Sequence, residues 1–251
     1  MRRATPVPEL ARLTRALALL RLRDFAVARH DCPFCGPGLI VRLRNEETGV
    51  RCLRCGATPV HGSLGRALQH YVGNLAGRDV CELSARGPLA AHLRKHARSV
   101  ALSEYFADLP PGGIRAGVRC EDVQQLSYTD SSFDLITHTE VLEHVPDDTR
   151  AFAELRRVLR PGGWMLFTVP MYGTTTLERA CVRDGAIEHL ALPVYHGDPS
   201  RGGEPVLAFR DYGRDIASRL LAAGFAQAWI EPAASGSAPW GFARPVACAR
   251  R

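Results

Sequence analysis

Four of the eight cysteines fall into two C-x2-C pairs, Cys32 and Cys35 in CPFCG and Cys52 and Cys55 in CLRCG, with 16 residues between the pairs. Each pair lies in a tight turn closed by glycine, Gly36 or Gly56. That geometry aims two thiolates at one tetrahedral ion, and the intervening LIVRLRNEETGVRC alternates like a small hairpin. Four thiolates leave no open position for a substrate water, so the chemistry expected is a structural Zn²⁺ site rather than a catalytic one. Cys81, Cys120, Cys181 and Cys248 are scattered singly. A second stretch that could do chemistry is DVCELSARGPLAAHL, a short apolar strand ending on an acid, a turn with the single glycine Gly87, and a helix. Strand, turn and helix in that order usually hold a G-x-G-x-x-G loop against a dinucleotide pyrophosphate, and this loop lacks those glycines.

The elements that must position these residues follow from patterning. With 251 residues and 46% hydrophobic content, the chain can bury a full core as one large domain, or as one domain with a small module. No window approaches 18 uninterrupted apolar residues, and the start MRRATPVPELARL lacks an apolar signal region, so a soluble, cytoplasmic chain without membrane contact is expected. The net charge of +6 arises wholly from the first 60 residues, 11 Arg against five acids. Leucines at helical spacing predict a basic amphipathic helix over residues 1–28. SLGRALQHYVGNL predicts another, capped by Ser63. Beyond Arg78, strands and helices alternate: DVCEL, helix PLAAHLRKH, SVALSEYF, GVRCEDV, SFDLITH, helix DDTRAFAELRRVL closed by RPGG, and WMLFTVP. DYGRDIASRLLAAGF then forms a last helix, and AQAWIEP and FARPVACA two final strands. Such alternation predicts an α/β doubly wound parallel sheet.

Residues 29–60 resemble a zinc ribbon. FDLITHTEVLEHVPDDTRAFAELRRVLRPGGWMLFTVP resembles the central stretch of class I S-adenosylmethionine-dependent methyltransferases. The resemblance spans about residues 73–251, with the domain placed at 61–251, and it implies a Rossmann-like seven-stranded sheet. It implies S-adenosylmethionine as cofactor, which has no pyrophosphate and so needs less from the loop after the first strand. Carried over by position, Glu82 supports the methionine ammonium and Ser84 and Gly87 occupy the glycine loop, where SARGPL departs from the family's G-x-G-x-G run. Arg86 offers a charge-assisted contact to the methionine carboxylate instead. Glu104 accepts from both ribose hydroxyls, Asp122 from the adenine amino group beside the backbone amide of Val123, and Thr139 faces the sulfonium. Glu121 is the neighbour with which Asp122 could be confused. Glu140, Glu143 and His144 recur at i, i+3 and i+4 on one face of a helical turn; hydrogen bonds to neighbours and charge at a helix N-terminus are the simpler account of them, a divalent ion the other.

Asp184-Gly185 between two alternating runs signals a hairpin turn, so residues 171–205 are expected to form a lid over the acceptor site. Tyr172, Tyr195, His144 and His196 are the polar candidates near the acceptor, none of them identifiable as a base by motif. A sulfonium-activated methyl group needs mainly in-line positioning, with a base only where the acceptor carries a proton. The long lid and neutral main domain favour a small-molecule acceptor, modified at oxygen or nitrogen. Two alternatives stay open: a ribosomal RNA or other nucleic-acid methyltransferase using the basic ribbon end, although Phe25 and Phe34 are its only aromatics for base stacking, and a non-catalytic scaffold that kept the fold.

Overall fold

A computed structural model describes residues 21–198, 203–233 and 239–251. The chain opens with a three-stranded antiparallel sheet of β1 (Ala26–Cys32), β2 (Gly36–Arg42) and β3 (Val50–Cys52), in the order β1-β2-β3. Most of the expected N-terminal helix lies outside the described residues. Its last part is not helical, since Leu22–Asp24 form a single 3-10 turn and Ala26 already pairs with Arg42. The alternation in FAVARHDC competes with helical spacing there, and pairing with β2 decides the matter in favour of a strand.

The helix Pro59–Ala67 follows and continues into a π-helical turn, Leu68–Val72. Its cap is Thr58 rather than Ser63, with Pro59 at the first helical position and a reciprocal capping box to His61, the arrangement that proline's missing N–H favours. Ser63 instead donates its hydroxyl to the Pro59 carbonyl at 3.2 Å.

The main sheet comprises β4 (Asp79–Glu82), β5 (Ser99–Glu104), β6 (Ile114–Arg115), β7 (Val118–Cys120), β8 (Phe133–Thr139) and β9 (Leu159–Thr168). Six short strands come next in the chain: β10 (Leu177–Glu178), β11 (Ala180–Arg183), β12 (Ala186–His189), β13 (Val194–Asp198), β14 (Glu204–Ala208) and β15 (Arg210–Asp211). The sheet is completed by β16 (Gln227–Glu231) and β17 (Val246–Arg250), giving the order β16-β17-β9-β8-β4-β5-β7-β6. The expected α/β Rossmann-like sheet is therefore present, with eight strands rather than seven, because Ile114–Arg115 turns back antiparallel on β7. The RPGG segment also sits within β9 rather than closing the helix Asp148–Val158.

Alternation along the central strands separates the two layers. Cys81, Ile136, Met165 and Phe167 face the helices Asp148–Val158 and Ile216–Ala222. Val80, Leu135 and Leu166 face Leu64, Leu68 and the helix Pro88–His96. β11 and β12 form the Asp184-Gly185 hairpin, with both turn residues at positive φ (51° and 78°) as a tight two-residue turn requires. β13 and β14 form a second hairpin, and β10 pairs with β15.

The ribbon is docked rather than merely tethered. A Cβ on Gly65 would stand 2.7 Å from Pro33 and 2.8 Å from the Phe34 ring, so only glycine lets the first cysteine turn seat on the helix. Gln69 donates to the Pro33 carbonyl at 2.7 Å, and Arg244 pairs with Glu47 of the ribbon at 2.6 Å.

The strand pair β10 and β15 is fastened to the turn after β8 by Arg210, which is 3% exposed. Its guanidinium donates to the carbonyls of Val145 (2.6 Å), Pro146 (2.8 Å) and Leu142 (3.2 Å), and to the Glu178 carboxylate at 3.0 Å. Asp148 lies 3.7 Å from it and is held by Arg219 at 2.7 Å and by the Tyr212 hydroxyl at 2.9 Å. Removing one member of a buried ionic network strands the others without partners. Arg210→Ala should lower stability by about 3–5 kcal/mol, whereas Arg183→Ala in the exposed hairpin pair with Glu188 should cost at most about 1 kcal/mol; denaturant titration of both variants checks the contrast.

Candidate functional site

The sheet brings the sequence-predicted residues to the carboxyl ends of β4, β5 and β8, the edge where open α/β sheets bind ligands. Glu82 ends β4 and is 1% exposed; the Thr137 hydroxyl donates to it. Burial, reinforced by the nearby Glu104 charge, lifts its carboxyl to about 8. Glu104 ends β5, and its Oε1 accepts the Ala85 backbone N–H at 3.0 Å. That bond ties the second strand's acid to the loop after the first. Gly87 caps the helix Pro88–His96 at φ +98°, a conformation L side chains rarely adopt, and a Cβ there would meet only the His61 Nε2, at 3.8 Å. Ser84 turns its hydroxyl to the Arg86 carbonyl at 3.3 Å, and Arg86 is exposed.

Asp122 and Glu121 separate by their partners. Glu121 is buried, paired with Arg119 at 2.5 Å and accepting the Ser127 N–H at 2.8 Å, so it is consumed in holding its own loop. Asp122 is half-buried and accepts the Gln124 backbone N–H at 2.8 Å, with Val123 buried behind it. Thr139 closes β8 opposite Thr168 of β9.

The segment after β8 is a 3-10 turn, Leu142–His144, preceded by Glu140 at φ +51°. Glu140 and Glu143 both have carboxyls raised by burial, Glu140 to about 7. Glu143 is 1% exposed with neither oxygen hydrogen-bonded. The His144 and His196 rings meet edge to face at 5.1 Å. Tyr172 and Tyr195 are 56% and 55% exposed, and no hydrogen bond within the described residues ties either side chain to the site. Three nearby residues gave no readable signal in the sequence. His61 lies beside Gly87, Arg244 lies 3.9 Å from Glu140, and Arg210 holds the turn from behind. Their partners are 26 to 104 residues away in the chain, beyond any local pattern.

The cysteine cage lies apart from this edge. The four Sγ atoms lie within 4.8 Å of one another, with Cys32 to Cys55 and Cys35 to Cys52 each at 3.6 Å. A disulfide needs about 2.05 Å between sulfurs; tetrahedral zinc with bonds of about 2.3 Å puts its sulfurs roughly 3.8 Å apart. Gly36 and Gly56 take positive φ (75° and 79°) in the two turns. The donor set, spacing and backbone fit Zn²⁺. The hydrogen bond from Cys55 holds the Cys32 thiol down near 4, while burial pushes Cys35 up to about 11.

Two measurements follow. Fresh protein should contain about one zinc per chain, and Cys32→Ser should lower both zinc content and the ribbon's resistance to proteolysis, because ion binding and folding are coupled in such a module; protein without zinc by elemental analysis would contradict this. For Glu82, the folded value near 8 exceeds the ordinary 4.5, so the folded chain holds an extra proton between those values. That contribution to stability is fully present below about 4.5 and is lost as pH rises through 8. Melting temperature should therefore fall from pH 5 to 8 less steeply in Glu82→Gln than in the parent.

Comparison with known proteins places this geometry among methyltransferases. Residues 64–167 match the family described as a methyltransferase domain, Methyltransf_11. The chain is 30% identical over 103 residues to a ubiquinone biosynthesis O-methyltransferase of Coxiella burnetii, covering 38% of this chain and 44% of that protein. It is 31% identical over 118 residues to an uncharacterized 37.1 kDa protein in a transposon of Streptomyces fradiae, covering 47% of this chain and 31% of that one. The chain thus spans less than half the length of either relative. Among solved structures, the glycopeptide N-methyltransferase MtfA complexed with sinefungin superposes with a TM-score of 0.50 at 18% identity, over 74% of this chain and 92% of that one. In sequence over residues 64–167 and in fold, the chain is similar to S-adenosylmethionine-dependent methyltransferases.

Proposed function

We propose that the protein is an S-adenosylmethionine-dependent methyltransferase acting on a small-molecule acceptor at oxygen or nitrogen. One observation carries the reading: Glu104, at the end of β5, is bonded to the Ala85 amide of the very loop that Gly87 closes. A carboxylate so placed accepts from vicinal ribose hydroxyls, and the loop backbone beside it can approach the amino-acid end of the same ligand. The bound cofactor supplies a methyl group already activated on sulfur. The chain's residues position it: Asp122 and the Val123 amide at the adenine, Glu104 at the ribose, Glu82, Ser84, Arg86 and Gly87 at the methionine end, and Thr139 towards the sulfonium. Much of the rate then comes from holding the acceptor in line. The small-molecule acceptor is supported by the curated O-methyltransferase relative and by the hairpin of β13 and β14, whose His196 lies 3.9 Å from Glu143. Zinc in the ribbon is structural in this reading, since all four cage positions are thiolates.

A nucleic-acid acceptor would use the ribbon and the basic excess beside it, and Arg2, Arg3, Arg12 and Arg15 of that excess lie outside the described residues. RNA binding that weakens steeply with salt would favour it.

Calorimetric titration with S-adenosylmethionine tests the proposal. Glu104→Ala should weaken binding by about 1–3 kcal/mol, the cost of losing a charged hydrogen-bond partner. Gly87→Val should abolish binding, because its positive φ excludes a branched side chain, and Ser84→Gly should leave it nearly intact. A parent chain that binds no cofactor, or a folded Gly87→Val that binds like the parent, would favour the non-catalytic scaffold.

A further inference from the structure

His61 stands where the helix that follows the ribbon meets the loop after β4. It is the third residue of the helix Pro59–Ala67 and closes a reciprocal capping box with Thr58. The His61 backbone N–H donates to the Thr58 hydroxyl at 3.5 Å, and the Thr58 backbone N–H and hydroxyl lie 3.4 and 2.7 Å from the His61 Nδ1. A backbone N–H can only donate, so Nδ1 offers its lone pair and the proton of the neutral ring sits on Nε2. Burial, with the Arg51 charge adding to it, holds the imidazole down to about 4 and so keeps it neutral near pH 7.

The Nε2–H faces the loop that Gly87 closes. A Cβ on Gly87 would have this nitrogen as its nearest neighbour, at 3.8 Å, so the missing side chain at position 87 keeps the space in front of it open. The hydrogen bonds of His61 among the described residues use Nδ1 and the backbone N–H, and the Nε2 proton goes to none of them. The loop itself is short of donors. Ala85 has already given its N–H to Glu104 at 3.0 Å, Gly87 brings no side chain, and Pro88 opens the next helix without an N–H. His61 also holds its place, because Gly65, one turn further along the same helix, is packed against Pro33 and Phe34 of the ribbon.

We propose that His61 is a cofactor-binding residue, whose Nε2–H donates to the carboxylate at the amino-acid end of the ligand held by the loop Ser84–Gly87. The proposal rests on the S-adenosylmethionine reading and names a donor for one part of that ligand. A hydrogen bond to an ionised acceptor is among the stronger ones, and a neutral imidazole makes it without setting a further cation beside the ligand's own ammonium and sulfonium. Arg86 is exposed, so a contact from its long side chain gives up rotamer freedom that the capped imidazole has already lost on folding. The departure of SARGPL from a glycine run is then matched by a side chain from another element, one whose position is set by the ribbon.

The test is calorimetry on the full chain with two probes, S-adenosylmethionine and methylthioadenosine, which shares the nucleoside and the sulfur but lacks the amino-acid end. Two variants preserve the cap, since glutamine and glutamate are the residues a capping box favours at its third helical position. His61→Gln keeps an N–H donor and should bind S-adenosylmethionine nearly as the parent does. His61→Glu sets a negative charge against the carboxylate and should weaken S-adenosylmethionine by about tenfold or more, the loss expected for one hydrogen bond to a charged group, with methylthioadenosine unchanged and cooperative melting retained. A residue that served only the helix cap would leave both variants binding like the parent, and general damage to the loop would weaken both probes alike; either result would overturn the proposal. A parent that binds neither probe removes the S-adenosylmethionine reading and this contact with it, whereas a parent that binds both, beside a His61→Glu that binds both equally well, removes the contact alone.

Discussion

The turn that follows β8 depends on one buried cation. Arg210 gathers three backbone carbonyls of the segment Leu142–Pro146 and a carboxylate of the lid into one guanidinium. The turn's own backbone reaches only the Leu142 carbonyl, through the Val145 N–H at 3.2 Å, and Arg210 supplies donors to the Val145 and Pro146 carbonyls beyond it. The planar fork of arginine supplies the donors at fixed angles, which lysine could not do. Because Arg210 opens β15 and bonds Glu178 of the paired strand β10, the turn bearing Glu143 and His144 and the strand pair β10 and β15 are set by the same side chain. The cost is an ionic cluster of Arg210, Asp148, Arg219 and Glu178 beneath the site, kept neutral by pairing two cations with two anions.

Two buried carboxyls at the strand ends have been given different surroundings. Glu82 receives the Thr137 hydroxyl and sits beside the Glu104 charge, so its proton is held by burial but its oxygens are not idle. Glu143 has no such donor and faces imidazoles across gaps. The first arrangement keeps a buried carboxyl satisfied at the end of β4, and the second leaves one unsatisfied in the turn Leu142–His144. Separate environments for chemically equivalent side chains are how one fold assigns them separate tasks.

The ribbon and the main domain share a seam that reaches the cofactor edge. Glycine at position 65 admits Pro33 and Phe34, and the helix it belongs to places His61 beside Gly87. On the far side, Arg244 bonds Glu47 of the ribbon and lies 3.9 Å from Glu140. A collapse of the cysteine cage would therefore disturb both the loop after β4 and the acidic turn after β8.

Local chemistry carries the parts of this molecule that were legible in the sequence. The two C-x2-C turns, the Asp184-Gly185 hairpin, the helix in DDTRAFAELRRVL and the alternation that buries β4, β8 and β9 on two faces each depend on residues a few positions apart, and the sequence pattern records them directly. Strand-end acids are readable for the same reason, since Glu82 and Glu104 close apolar runs. The misread parts are those where a distant partner outweighs a local preference: the strand at Ala26–Cys32 needs β2 beside it, the cap at Thr58 competes with Ser63 one turn on, and β6 exists only as a return against β7. Tertiary structure alone brought His196 to Glu143 across 53 positions of chain and set Arg210 under both. Those contacts arise from which hairpin folds over which strand end, a choice made by the packing of the whole sheet and not by any single stretch of residues.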